Sequence, residues 1–423
     1  MAAYTREDAR RRDREDPLAE FADRFDVPAD LYMDGNSLGP ASDVAVVAVE
    51  RALEQWREQG IEAWTDAEPD WWHYGEELGD RLAPLVGAAA DEVCVANSTT
   101  VNVHSLLGTF IEKADSPGVL VNELDFPTDH YAVRAQLRAR GYDPDEHLHR
   151  VESRDGRTID HDDVERALAE NDVGVLFFPS VLYRSGQLFD VERLTRVAHE
   201  HGAYAGFDLA HSVGVVPHEL RAAGADFAVW CHYKYVNAGP GAVAGLYLAE
   251  EQFGSTPGLP GWWGHEKETM FDMRPTYTPA RSAGAYQIGT VNVLSAAPLF
   301  GALSVIHDAG IDRVREKSVA LTEYLIDLAD ERLAPLGYAV GTPRDPAERG
   351  GHVALEHEAG VQVSEALRDR GVVVDFRPPN VVRVAPSPLY TGFEDVYEAV
   401  ERLRTVVADG LYREYDAPEG EVT

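Results

Sequence analysis

The stretch Ala203–Gly214, AYAGFDLAHSVG, together with Ala225–Lys234, ADFAVWCHYK, decides how the chain folds. Each begins as a short run of apolar or small residues and then turns polar, the pattern of a buried strand emptying into a loop. Asp208 falls at the carboxyl end of the first run, His211 on the loop beyond it, and Lys234 just past the second run. The lysine stands out against its background. The chain carries four lysines and 34 arginines, so its positive charge is almost wholly guanidinium, and a retained amine marks a candidate for chemistry only a primary amine performs.

Outward from this pair the same alternation continues. Strand-like runs fall at 92–96, 118–124, 173–178, 204–208, 226–230 and 243–249, with helical patterns at 101–112, 129–139, 161–169 and 190–201 between them. That order predicts a mainly parallel sheet covered on both faces, with ligands at the carboxyl ends of its strands. A long helical pattern near 312–337 leads into a smaller α+β unit that contains GVVVDFRPPNVVRVAP and a last helix near 392–407. The expected division is a charged leader over 1–30, a segment 31–58 packing with the small domain, a large domain over 59–310, a small domain over 311–415 and a flexible tail over 416–423. The arginines of the leader alternate with Asp and Glu, which reads as a solvated surface segment.

The formal net charge is −35. The acidic residues are spread through the helical segments, which predicts adaptation to high salt and a halophilic source of archaeal type. No basic cluster is dense enough to follow a phosphate backbone, so nucleic acid is not an expected partner. Two cysteines, Cys94 and Cys231, and the lack of an apolar span or leader predict a cytoplasmic protein without disulfides or membrane contact. No His/Cys/Glu set has ligand spacing, so no metal is expected. Neither a G-x-S-x-G elbow nor a G-x-G-x-x-G fingerprint occurs.

A lysine and an aspartate delivered by two strand ends could flank one flat ligand. Pyridoxal 5'-phosphate uses that pair: the amine forms an imine with its aldehyde, and the carboxylate keeps its ring nitrogen protonated. The alternative readings are a surface lysine and an aspartate that caps a helix. VANSTTVNVH supplies Ser98, Thr99 and Thr100 at a helix start, where a phosphate would be held, and capping accounts for one hydroxyl rather than three. ELDFPTDHY offers Phe126 to stack on a ring, or to pack in the core, with Asp129 at the head of a helix.

GNSLG, NSTTVNVH, DFPTDHY, GQLFD, FDLAHSVG, WCHYKYVNAGPG, GWWGHE, YQIGT and VVRVAPSPLY follow one another in the order seen in kynureninases, which the chain resembles from about residue 31 to 396. The resemblance implies an α/β fold of the type I pyridoxal-phosphate transferase class and hydrolysis of L-kynurenine, or its 3-hydroxy form, to an anthranilate and L-alanine. It also implies a homodimer with sites at the subunit interface. Carried over residue by residue, Lys234 resembles the imine-forming lysine, Asp208 the ring-nitrogen partner and His211 a neighbour in the same site. Thr99, Thr100 and Tyr233 resemble the phosphate ligands, with Tyr233 also a proton relay, and Phe126 and Asp129 mark the ring-contacting segment. Trp263 and Thr290 resemble residues that reach the cofactor from the neighbouring subunit. Arg383 matches the arginine that clamps the substrate carboxylate, and Ser37 and His73 are placed with it at the substrate. Threonine at position 290, where some members carry asparagine, leaves the preference between the two substrates open. The competing functions are an aminotransferase of an aromatic amino acid and a non-catalytic binding protein. A cysteine desulfurase is disfavoured because no cysteine follows Cys231.

Overall fold

The computed structural model describes residues 4–416. Seven strands form the large sheet: β1 (Val93–Val95), β2 (Val119–Asn122), β3 (Leu148–Val151), β4 (Val175–Pro179), β5 (Tyr204–Asp208), β6 (Phe227–Trp230) and β7 (Gly245–Leu248), in the spatial order β1-β7-β6-β5-β4-β2-β3. Only β7 is reversed, lying antiparallel between β1 and β6. Both faces are covered, which is why the strands read as continuous apolar runs. Val119, Val121, Val175 and Phe177 point into one core, under helices Thr99–Lys113 and Pro127–Ala139. Leu120, Leu176, Phe178 and Phe207 point into the other. The sequence reading missed β3 because Leu-His-Arg-Val at a sheet edge is only half buried and lacks an apolar run.

A second sheet is built from β8 (Ala339–Val340), β9 (Val353–Glu356), β10 (Asp375–Arg377) and β11 (Val381–Val384), antiparallel in the order β8-β9-β11-β10. Its core joins Leu355 and Val382 to Leu321 and Leu325 of helix Ile311–Arg332 and to Leu403 of helix Phe393–Ala408. Helix Ile311–Arg332 leaves helix Val293–Ala309 at a 78° bend centred on Gly310, whose φ of +80° favours glycine. No single helix among the described residues is long and apolar enough to cross a membrane.

The charged leader lies on the surface, as a docked helix rather than a segment without partners. Residues Arg6–Glu15 form a helix with a Thr5–Asp8 capping box and a fully buried Ala9. Its arginines reach the small sheet's helices: Arg10 pairs with Glu394, Arg6 with Glu398, and the Arg12 guanidinium lies 4.9 Å from the Tyr324 ring centre and 5.4 Å from that of Phe393. The Asp13 carboxylate accepts the Phe393 and Glu394 N–H groups and so caps that helix. Alternating charge therefore has partners on another element, which spacing along one segment does not reveal. The segment 31–58 is also divided. Leu31–Tyr32 pairs with Val372–Val373 beside the small sheet, whereas helix Asp43–Gln59 lies on helix Val293–Ala309 of the large body. Of the expected flexible tail, residues 417–423 lie outside the described residues.

Each of the four lysines is held by a partner. Lys113 donates to Gln252 and Ser255, Lys267 donates to Glu76 and the Trp72 carbonyl, Lys317 pairs with Asp16 at 2.6 Å, and Lys234 meets His211. The Lys317–Asp16 pair is the most enclosed of the first three, with side chains 6% and 3% exposed. Replacing Lys317 by alanine leaves a buried carboxylate without its counter-charge and is expected to cost about 3 kcal/mol. A lowered denaturation midpoint measures this, and adding Asp16→Ala should recover part of it.

Candidate active site

Strands β5 and β6 are parallel neighbours, with Asp208 paired in register to Val229, so both polypeptides leave the sheet side by side at the carboxyl edge. The chain after β5 carries Asp208 and His211, and the chain after β6 carries Cys231, Tyr233 and Lys234. All five line one cavity of about 230 Å³. Lys234 Nζ lies 2.8 Å from His211 Nε2, and an Asp208 oxygen accepts the Ala210 N–H at 2.8 Å, which fixes the carboxylate at the strand end. Burial shapes the charge of these groups. It pushes the Lys234 amine down, against an opposing pull from Cys231 and Asp208. It also drives His211 well below its ordinary value, helped by the Lys234 charge.

The opposite wall holds a second carboxylate, Asp129, buried in the first turn of helix Pro127–Ala139. Burial raises both Asp129 and Asp208, and the charge of Asp208 raises Asp129 further. Two facing carboxylates in this state call for a cationic N–H between them. Thr99 and Thr100 line the far end at the start of helix Thr99–Lys113, whose N-cap, Ser98, makes no side-chain capping bond. The first-turn N–H groups there suit an anion. Phe126 is 47% exposed, tilted edge-on to Tyr183 at 5.3 Å, and lines the cavity rather than the core. Amine, ring-nitrogen partner, flat apolar wall and anion seat thus fit pyridoxal phosphate.

The remaining end is cationic. Arg383 on β11 stands directly across from Asp375 on β10, and two of its nitrogens grip that carboxylate: Nε donates at 2.7 Å and Nη2 to the other oxygen. Nη2 also donates to Ser37 Oγ at 3.1 Å and Nη1 to the Tyr183 carbonyl at 2.6 Å. Arg377, two residues from Asp375 and therefore on the same strand face, adds a second guanidinium 2.8 Å from it. Burial alone would raise Asp375, but the Arg383 hydrogen bonds and both cations outweigh it and hold the carboxyl below its usual range.

One chain therefore brings together Ser37, Thr99, Thr100, Phe126, Asp129, Asp208, His211, Tyr233, Lys234 and Arg383. It does not bring Trp263, His73 or Thr290 to that cavity. Trp263 is buried among Trp64, Trp72 and Trp262, and it lines a separate cavity of about 580 Å³ with His73, which is held by Asp70. Thr290 is exposed near Trp56, Trp64 and Trp71. Sequence reading overlooked Asn36, Tyr183, Asp375 and Arg377. The D-x-R alternation at 375–377 is a signal that could have found the last two, because period two puts both on one face.

The sheet order and the lysine at its carboxyl edge define a pyridoxal-phosphate-dependent enzyme of fold type I. Solved structures agree on the fold: a cysteine desulfurase from Thermococcus onnurineus superposes with a TM-score of 0.75 at 20% identity, covering 97% of this chain and all of that one. A cysteine desulfurase from Escherichia coli gives 0.76 at 17% identity, covering 92% and 98%. Residues 55–239 match the aminotransferase class I and II family, and residues 314–403 match the kynureninase C-terminal domain. Kynureninase of Geobacillus thermodenitrificans is 46% identical over 97% of this chain and 96% of its own length, and that of Shouchella clausii is 42% identical over 98% and 97%. The chain belongs to the kynureninase family.

Three buried histidines at or beside the cavity are held neutral, chiefly by burial: His211 well below its ordinary value, His232 down to about 4 and His352 down to about 3. A histidine depressed in the folded state adds stability that is complete above its unfolded value and is lost as pH falls toward the folded one. Stability should therefore fall from about pH 6.5 toward pH 4, by roughly 1.4 kcal/mol per pH unit for each histidine. Denaturation midpoints across that range measure it, and His232→Gln should flatten the slope.

Proposed function

We propose that the chain hydrolyses L-kynurenine, or its 3-hydroxy form, to anthranilate or 3-hydroxyanthranilate and L-alanine. The observation that carries this reading is the cavity that sets Lys234 against Asp208 and His211 at one end and Arg383 at the other, in a member of the kynureninase family. The bound cofactor supplies an electron sink for the charge left on the amino acid. Lys234, whose proton affinity burial lowers, takes and returns the proton at the substrate's α-carbon. Asp208 holds the proton on the ring nitrogen, and Asp129, Phe126 and His211 keep the ring seated. Thr99, Thr100 and Tyr233 hold the phosphate, and Tyr233 passes a proton toward the leaving fragment. Arg383, with Ser37 bonded to it, would hold the carboxylate and so orient the substrate's α-carbon. Water adds to the side-chain ketone, the Cβ–Cγ bond breaks, and the anthranilate leaves before alanine.

Trp263, Thr290 and His73 fit this reading as residues that a second subunit contributes in a homodimer, because none of them lines this cavity within one chain. We assign residues 59–310 to the cofactor domain and 311–415 to the small domain that carries Arg383. Purified protein given L-kynurenine or its 3-hydroxy form should release the matching anthranilate with one alanine each, and the ratio of rates gives the ring preference. Lys234→Ala should abolish turnover, and Arg383→Lys should raise KM and lower kcat together. A yellow protein that releases no anthranilate and instead requires 2-oxoglutarate is an aminotransferase.

The charge of −35 supports a protein that works in high salt. Many surface arginines are paired with carboxylates, as in Arg154 with Asp160 and Asp163 and Arg193 with Asp162, but the chain has 73 Asp and Glu against 38 Lys and Arg. Raising salt from about 0.1 to about 1 M shortens the reach of the remaining repulsion from roughly 10 to 3 Å. The melting temperature and the activity should both rise over that range. A fall in either would overturn the salt adaptation while leaving the reaction untouched.

A further inference from the structure

The loop Asp34–Gly39 joins the two ends of the site. At one end Ala385, two residues past Arg383, donates its N–H to the Met33 carbonyl at 2.8 Å. At the other the Gly39 N–H donates to the Tyr233 carbonyl at 2.7 Å, beside Lys234. Two glycines allow the close passage. A Cβ on Gly35 would stand 2.0 Å from the Tyr390 hydroxyl, and one on Gly39 would stand 2.0 Å from Asn237 Oδ1 and 2.6 Å from the Lys234 carbonyl. The loop is thereby pinned, and it presents Asn36 and Ser37 to the cavity.

Asn36 lines that cavity and is 0% exposed, and among the described residues neither Oδ1 nor Nδ2 finds a hydrogen-bond partner. A buried amide in this state is a standing loss of stability, which a ligand that completes its bonds would relieve. Its neighbour Ser37 is bonded to Arg383, and Asn36 and Arg383 line the same cavity. There, hydrogen-bond donors are scarce. Of the five N–H groups of Arg383, two go to Asp375, one to Ser37 and one to the Tyr183 carbonyl, which leaves a single Nη1–H for an incoming anion. A carboxylate has room for about four donors.

We propose that Asn36 is a substrate-binding residue, its Nδ2–H donating to the α-carboxylate beside the last free N–H of Arg383. The proposal rests on the reading of the site as one for an α-amino acid. It explains why the amide is left without a partner in the protein, and it makes the carboxylate seat a shared one rather than the work of a single arginine.

The test titrates the holoenzyme with L-alanine and with L-alaninamide, which lacks the carboxylate charge, following cofactor absorbance and the melting temperature. Asn36→Ala should weaken L-alanine about tenfold and L-alaninamide less than twofold, with an unchanged or raised melting temperature. Asn36→Asp, which sets one carboxylate against another, should weaken L-alanine further still. Equal losses for both ligands, no loss at all, or an aspartate variant that binds alanine as well as the alanine variant does would overturn the proposal. A melting temperature lowered by several degrees in Asn36→Ala would do so too, by showing that the amide holds the fold. If the unaltered holoenzyme responds to neither alanine nor kynurenine, the amino-acid reading itself fails and takes this assignment with it.

Discussion

A primary amine enclosed at the end of a parallel strand pair is the constraint on which the site depends. Ammonium is costly to bury, so the Lys234 environment lowers its proton affinity, and Asp208 keeps that effect in check from the adjoining strand. The fold supplies this arrangement cheaply, because two neighbouring parallel strands end at the same edge. Their side chains then differ in height by only the few residues of the loop that follows. Around the amine the charges sort themselves by position, with acids on the wall where a cationic ring nitrogen fits and guanidinium groups where an anion fits.

The guanidinium end is set by cross-strand pairing. Because Arg383 faces Asp375 in register, its plane is locked before any ligand arrives. Locking has two effects. It removes the rotamer freedom that a long cationic side chain would otherwise lose on binding, and it consumes most of the hydrogen-bonding capacity that a free arginine would offer. Preorganisation at this end is therefore obtained by giving up donors, and the chain elements that pass nearby inherit part of the task.

The large sheet was legible wherever burial on both faces turns a strand into an unbroken apolar run, as at 204–208 and 226–230, and this is why Asp208 and Lys234 could be placed at strand ends. Legibility failed where exposure or distance decides. Leu148–Val151 is an edge strand with polar residues, and the reversal of β7 leaves no mark in composition. The leader looked idle because its charges are matched by Glu394, Glu398 and the rings of Tyr324 and Phe393, all more than three hundred residues away. Lysine scarcity pointed to Lys234 for an incomplete reason. All four lysines are retained at sites with defined partners, and geometry rather than rarity separates the reactive one from Lys113, Lys267 and Lys317. In the small sheet, Asp375 and Arg377 sit in a stretch that read only as part of an α+β unit, and only the pairing of β10 with β11 shows what they hold.

The partners of the four lysines also set how the molecule meets reagents from outside. A typical surface offers many free amines to acylating or aldehyde compounds, and modification is scattered over all of them. Here Lys317 is enclosed with a carboxylate, Lys113 and Lys267 are tethered, and Lys234 lines the catalytic cavity. Amine-seeking electrophiles thus meet few lysines at the surface, Lys113 being the exposed one, while Lys234 faces the cavity.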